Sequence, residues 1–173
     1  MLGHSPSIVR DGLVLCLDGA NTKSFKGEVT TNEVSNASTM SGWSSYENGN
    51  DGTFTTEFGT TGYKMINRGS WNGIYKTPIT LPSTGTYTIS AWFRYWGGSA
   101  NNNGATVYTT GGGLVDQAVG IDKSKVGVWQ RISMTRTYTS TSLTFYLISF
   151  GGVNGGDNST WDVTMPQIEQ KSY

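Results

Sequence analysis

Period-two alternation, repeated between turns rich in glycine and asparagine, is what most restricts the fold of this chain. In "TYTISAWFRYW", residues 86–96, Ile89, Ala91, Phe93 and Tyr95 fall on one side of a strand and Thr88, Ser90, Trp92, Arg94 and Trp96 on the other, because successive side chains of a strand point to opposite faces. "WQRISMTRTYT" repeats the scheme: Ile132 and Met134 face inward with Tyr138 beside them, and Arg131, Ser133 and Thr135 face outward. "SLTFYLISF" sets Leu143, Phe145 and Leu147 against Thr144, Tyr146 and Ile148. No window sustains the 3.6-residue period of a helix. Strands are expected at 52–57, 63–66, 73–81, 86–96, 105–109, 129–138, 142–148 and 161–169, separated by turns such as "ENGNDG", "GGSANNNG" and "GGVNGGDNS". Such a succession implies an all-β sandwich or jelly roll. Residues 1–31 read as a short N-terminal arm with one apolar strand, Leu13 to Leu17, and residues 32–173 as the body. A lone strand has no stability of its own, so the arm is expected to pair with the body or with a neighbouring subunit.

Composition narrows the function. Charged residues make up 14% of the 173 positions and the formal net charge is zero, with no basic stretch, so the electrostatic footprint of nucleic-acid binding is missing. No segment approaches the ~20 apolar residues that span a membrane, and the opening "MLGHSPSIVRDG" lacks the apolar run of a signal peptide. Synthesis in a cytoplasm without a secretory signal is the expectation. Cys16, the single cysteine, sits in the apolar "LVLCLD" and reads as an inert thiol. His4, the single histidine, lies in the arm and reads as a solvated tail residue, so a Ser-His-Asp or Cys-His arrangement has no support. Asp51, Asp116, Asp122 and Asp157 stand in turn contexts, where Asp commonly serves backbone geometry. No cofactor is expected. Cys/His metal clusters are absent. A structural calcium on oxygen ligands stays open, with Asp162 as a weak candidate against its reading as part of a capped turn. The glycine clusters "TTGGGLV" and "FGGVNGGDN" stand in no strand-to-helix context and read as loops rather than phosphate cradles.

What remains is a face of rings, hydroxyls and arginine turned away from the core. An aromatic ring offers a flat apolar surface with a negative face, matching the C–H flank of a sugar, and Arg, Asn, Gln and Ser can pair its hydroxyls. Trp92 and Trp96 would lie ~13 Å apart along a strand. Two readings stand side by side: contact with a glycan, or burial under a loop or in a subunit interface, where tryptophan is also enriched.

The stretches "NEVSNASTMSGWSSY", "GSWNGIYKTPITLPSTGTYTISAWFRYW", "GVWQRISMTRTYTSTSLTFYLISF" and "STWDVTMPQIEQKSY" together resemble the jelly-roll carbohydrate-binding modules that accompany xylanases and glucanases and have relatives in phage structural proteins. The arm "DGLVLCLDGANTKSF" is similar to segments that precede such domains in virion proteins of marine phages. In those modules more chain usually follows an end like "MPQIEQKSY", which implies a fragment or processed form. The resemblance implies an antiparallel β-sandwich of jelly-roll topology with one aromatic-lined cleft. Carried over, Trp71, Tyr75 and Trp92 are its cleft residues, extended by Arg94 and Trp96, while Trp43 and Trp129 look structural. The family's acidic residue near its opening has no counterpart in "SNASTMSGW", so only Asp162 is left of its calcium arrangement. The expectation is a non-catalytic phage virion module, part of a fibre, spike or head decoration. It would sit on the virion surface, bind glycans of a host cell, contact other virion subunits and be compatible with a homo-oligomer. The alternative is a purely structural virion decoration or assembly protein on the same fold. A third reading, a glycan-cleaving enzyme, requires two carboxylates ~5–10 Å apart beside the aromatic face.

Overall fold

The computed structural model describes residues 32–47, 51–66, 71–98, 104–111, 116–119, 121–150 and 158–170, with backbone alone at 71, 116–119 and 149–150. Two antiparallel five-stranded sheets face each other. The strands are β1 (Ser44–Tyr46), β2 (Thr53–Thr55), β3 (Thr61–Ile66), β4 (Trp71–Thr80), β5 (Gly85–Gly97), β6 (Gly104–Gly111), β7 (Asp116–Val119), β8 (Trp129–Tyr138), β9 (Ser142–Phe150) and β10 (Thr160–Gln170). One sheet has the order β2-β3-β10-β5-β8 and the other β1-β4-β9-β6-β7; they are called sheets A and B below. Every strand expected from alternation is present. The chain adds β1 and β7, three and four residues long, too short to show a pattern. No helix occurs among the described residues. The arm, with Leu13 to Leu17, lies outside the described residues.

Alternation is what fills the core. Tyr87, Ile89, Ala91 and Phe93 of β5 are fully buried, as are Trp161, Val163 and Ile168 of β10 on the same sheet. Ile74, Val107, Phe145 and Leu147 meet them from sheet B. Trp161 packs on Tyr95 with ring centroids 4.7 Å apart, and its indole N–H donates to Ser159 Oγ at 2.9 Å. Trp43 also belongs to the core, edge-on to Phe145. Its Nε1 is a buried donor without an acceptor among the described residues.

β10 changes its outward set part-way. Asp162 and Thr164 stand opposite Arg94 and Trp92, but after a bulge between Thr164 and Gln167 the outward residues are Gln167 and Glu169, opposite Ser90 and Thr88. Met165, inside the bulge, takes φ 48°, in the left-handed region. The first described residue is fastened beside the end of the same strand. Asn32 bridges Glu169, its Oδ1 accepts from the backbone N–H of Val34 and Ile168 at 3.0 Å, and its Nδ2 donates to the Pro166 carbonyl at 3.0 Å.

Candidate functional site

The outer faces of the two sheets are both aromatic, and they differ in chemistry. On sheet B, register puts Tyr75 of β4, Tyr146 of β9 and Tyr108 of β6 directly opposite one another. Tyr75 and Tyr146 stack at 5.6 Å with 28° between the rings, Tyr108 tilts against Tyr146 at 5.3 Å, and Tyr46 from β1 stands edge-on to Tyr146 at 5.5 Å. With strands ~4.8 Å apart, the row runs ~10 Å across the sheet. All four rings are half-buried. Tyr46, Glu47, Tyr108, Thr110, Tyr146 and Ile148 line a groove of about 420 Å³. Burial, then the charge of Glu47, raises the Tyr46 phenol above its ordinary value, so it stays a proton donor at neutral pH.

Gly73 lets the groove floor form. A Cβ there would lie 2.1 Å from the Leu147 carbonyl oxygen and 2.9 Å from the Ile148 Cα, so no other residue fits between β4 and β9 at this spacing. Asn72, buried beside it, donates from its side-chain amide to the Glu47 carbonyl and ties the groove rim to β4.

On sheet A the outer face is a row of charge wrapped in rings. Arg94 donates through Nε and Nη2 to Asp162 Oδ2 at 3.1 and 2.9 Å, and through Nη1 to both Glu57 oxygens at 2.9 and 3.2 Å. Its guanidinium lies 4.3 Å from the Trp129 ring centre, 4.7 Å from Trp96 and 5.9 Å from Phe54. The indole N–H of Trp96 donates to Asp162 Oδ2, and that of Trp129 to Glu57 Oε1, both at 2.6 Å. Phe54 leans over Gly62, where a Cβ would meet its ring at 2.7 Å. Farther along β5, Arg131 Nη2 donates to Ser90 Oγ and Gln167 Oε1, which covers Ser90 although it points outward. Beyond them come hydroxyl pairs, Thr88 with Thr135 and Thr86 with Thr137, each at 2.9 Å.

The expected site residues therefore divide between two faces. Tyr75 lies on sheet B, in the tyrosine row. Trp71 opens the same strand with its backbone paired to Phe150, and its side chain lies outside the described residues. Trp92, Arg94 and Trp96 lie on the outer face of sheet A, across the core from Tyr75. One cleft cannot hold all five, because β4 and β5 enter different sheets. Trp92 is half-buried between Arg131 of β8 and Thr164 of β10. Arg94 has its Nε and both terminal nitrogens engaged by carboxylates. Asp162, the weak calcium candidate, stands beside Arg94 on the same face. Its Oδ2 holds the Arg94 guanidinium and the Trp96 indole, and that positive charge opposes a cation beside it. Among the described residues no group of three or more acidic, histidine or cysteine side chains could hold a metal ion.

No family model matches the sequence, and no curated protein matches it. Solved structures do match. The arabinose-bound α-L-arabinofuranosidase MgGH51 aligns with a TM-score of 0.58 and 17% identity over 77% of this chain, which spans only 24% of that enzyme. The module TmCBM61 in complex with β-1,4-galactotriose aligns with a TM-score of 0.55 and 11% identity, covering 82% of this chain and 99% of the module. The CBM22-1 xylan-binding domain of Paenibacillus barcinonensis Xyn10C aligns with a TM-score of 0.53 and 18% identity, covering 83% and 95%. The fold is that of carbohydrate-binding modules.

Within this carbohydrate-binding-module fold, Glu47 stands in the tyrosine groove and Asp51 beside Trp96, while Glu57 and Asp162, the carboxylates bonded to the sheet A indoles, are both engaged by Arg94. A hydrolytic pair needs one carboxyl whose affinity for its proton is raised. Glu57 goes the other way: the hydrogen bond from its own backbone N–H, then those from Trp129 and Arg94, hold it below the usual range. Sequence reasoning missed three groove tyrosines, Tyr46, Tyr108 and Tyr146, and set Trp129 aside as structural. Parity was the available signal for Trp129, since it lies two residues before the outward Arg131. Tyr146 already stood in an outward set. Only sheet order could bring Tyr108 beside it.

Proposed function

We propose that this chain is a non-catalytic glycan-binding module and that the tyrosine row of sheet B is its binding cleft. The carrying observation is the groove of about 420 Å³ walled by Tyr46, Tyr108 and Tyr146 and continued by Tyr75. It offers flat rings for the C–H flanks of sugars and phenolic hydroxyls for their hydroxyl groups. Its volume lies in the range of small-ligand sites. The ligands named for the fold neighbours, β-1,4-galactotriose and xylan, support an oligosaccharide as the ligand class. The test is a glycan array followed by calorimetric titration of the best hit, with β-1,4-galactotriose and xylohexaose included. Tyr146→Ala should weaken binding about tenfold or more, the loss expected of a central aromatic anchor. Absence of any hit, or full affinity in a folded Tyr146→Ala variant, would refute the cleft.

A place on a phage virion surface, in a fibre, spike or head decoration that adheres to host-cell glycans, is the biological setting we propose. Its support is the similarity of the arm "DGLVLCLDGANTKSF" to segments of virion proteins. The purely structural reading of the same fold would require the tyrosine groove to be covered in the assembled particle.

A further inference from the structure

We infer that sheet A carries a second, independent sugar-binding pocket, on the side of the sandwich opposite the tyrosine groove. It is a hollow of about 350 Å³ lined by Asp51, Thr53, Phe54, Lys64, Trp96 and Asp162, with the Arg94 guanidinium in its wall. Three features make it a site rather than a dent between side chains. The Asp162 side chain is 6% exposed, and all of its hydrogen bonds converge on Oδ2. Its Oδ1 accepts none among the described residues, and Asp162 lines the hollow. Oδ1 is not among the buried unpaired atoms, so it is open to solvent, and a ligand hydroxyl can replace water on it. Cross-strand from Asp162 stands Lys64, which also lines the hollow and whose ammonium makes no ion pair or hydrogen bond among the described residues. The indole of Trp96 is 47% exposed, with its N–H already fixed on Asp162 Oδ2, so its orientation is locked before a ligand arrives.

An acceptor and a donor side by side, next to a fixed ring, suit vicinal hydroxyls of one sugar unit lying with its C–H flank on the indole. The charges around the hollow nearly cancel: Asp51, Asp162 and Glu57 stand against Lys64 and Arg94. An uncharged sugar is therefore favoured over a uronate or an amino sugar. Arg94 donates to Asp162 and Glu57 rather than to the ligand. Its role is to hold Asp162 and Trp96 in place, so it is a positioning residue. Two pockets on opposite faces cannot share one straight oligosaccharide, so the module would engage two chains, or two distant segments of one chain. Bivalent attachment of this kind raises retention on a polymer without any new contact.

This pocket shares only the ligand class with the tyrosine-groove reading, and the two can be told apart in one experiment. The whole chain, labelled with nitrogen-15, is titrated with methyl glycosides of glucose, galactose, mannose, xylose and arabinose while the Trp96 indole N–H resonance is followed. At least one glycoside should shift that signal saturably. Tyr146→Ala should leave the shift intact. Lys64→Ala, which removes no ion pair or side-chain hydrogen bond among the described residues, should leave the melting temperature unchanged and weaken the shift-derived affinity roughly tenfold. If no neutral glycoside moves the Trp96 signal, if only methyl galacturonate does, or if Lys64→Ala binds as well as the parent, the pocket is refuted. If Trp96 responds while the groove tyrosines never do, the reading of sheet B fails and this one stands.

Discussion

Trp161 and Trp96 show how little residue type says about role. Both lie on neighbouring strands of sheet A, and both donate their indole N–H to a side-chain oxygen. Trp161 points into the core, is fully buried and packs on Tyr95. Its replacement by alanine should remove about 3–5 kcal/mol of stability, since both transfer energy and a cavity are lost. Trp96→Ala removes a half-exposed ring, one hydrogen bond to a carboxylate and one cation–π contact. The cost should be about 1–2 kcal/mol, as Arg94 keeps its two carboxylates and Trp129. Urea denaturation of the two variants checks this, and equal losses would mean that the Trp96 face is a second core. Alternation in "TYTISAWFRYW" was enough to give Trp96 its direction. It could not say that the arginine between the tryptophans would be clamped, because Glu57 and Asp162 come from segments 37 and 68 positions away.

At the scale of strands, what was legible is what is local. β5, β8 and β9 declare themselves through inward residues two apart, and their register follows once those sets face one core. β1 and β7 stayed hidden, "SSY" and "DQAV" being too short for a period to appear. The assignment of strands to sheets was hidden too, and this is why Tyr75 and Trp92 looked like parts of one cleft: membership in a sheet is a non-local fact. β4 illustrates how a strand buys proximity. Gly73 allows its backbone to run against Leu147 and Ile148 of β9. Gly73→Ala should cost about 1–3 kcal/mol, the usual range for overpacking, and should disturb the tyrosine row two residues away. A thermal melt together with the chemical shifts of Tyr75 and Tyr146 measures both effects. An unchanged melting temperature would contradict the close approach.

For the molecule as a whole, Glu57 links the turn after β2 to β5 and β8 through Arg94 and Trp129. Its carboxyl is held below its ordinary value in the fold, chiefly by its own backbone N–H and then by Trp129 and Arg94. A depressed carboxylate contributes stability that is complete above its unfolded value and is lost as pH falls through its folded one. The group is exposed, so the effect is small and screened by salt. The urea midpoint of the parent protein should therefore fall more steeply than that of Glu57→Gln as pH drops below the ordinary glutamate range, and parallel curves would mean that Glu57 is not coupled to folding.

Asn32, fastened to the C-terminal end of β10, has a mechanical meaning. A module tethered at both ends is loaded where those ends meet the body, and here Asn32 and Glu169 are antiparallel neighbours. In a molecule anchored through both of these ends, tension would enter at one corner of sheet A and meet the contacts there one after another, as a zipper does, starting with those of Asn32 to Pro166 and Ile168. The tyrosine row stands on the other sheet, away from that line of force. A polymer held there could be dragged while the corner gives way, with the groove keeping its shape.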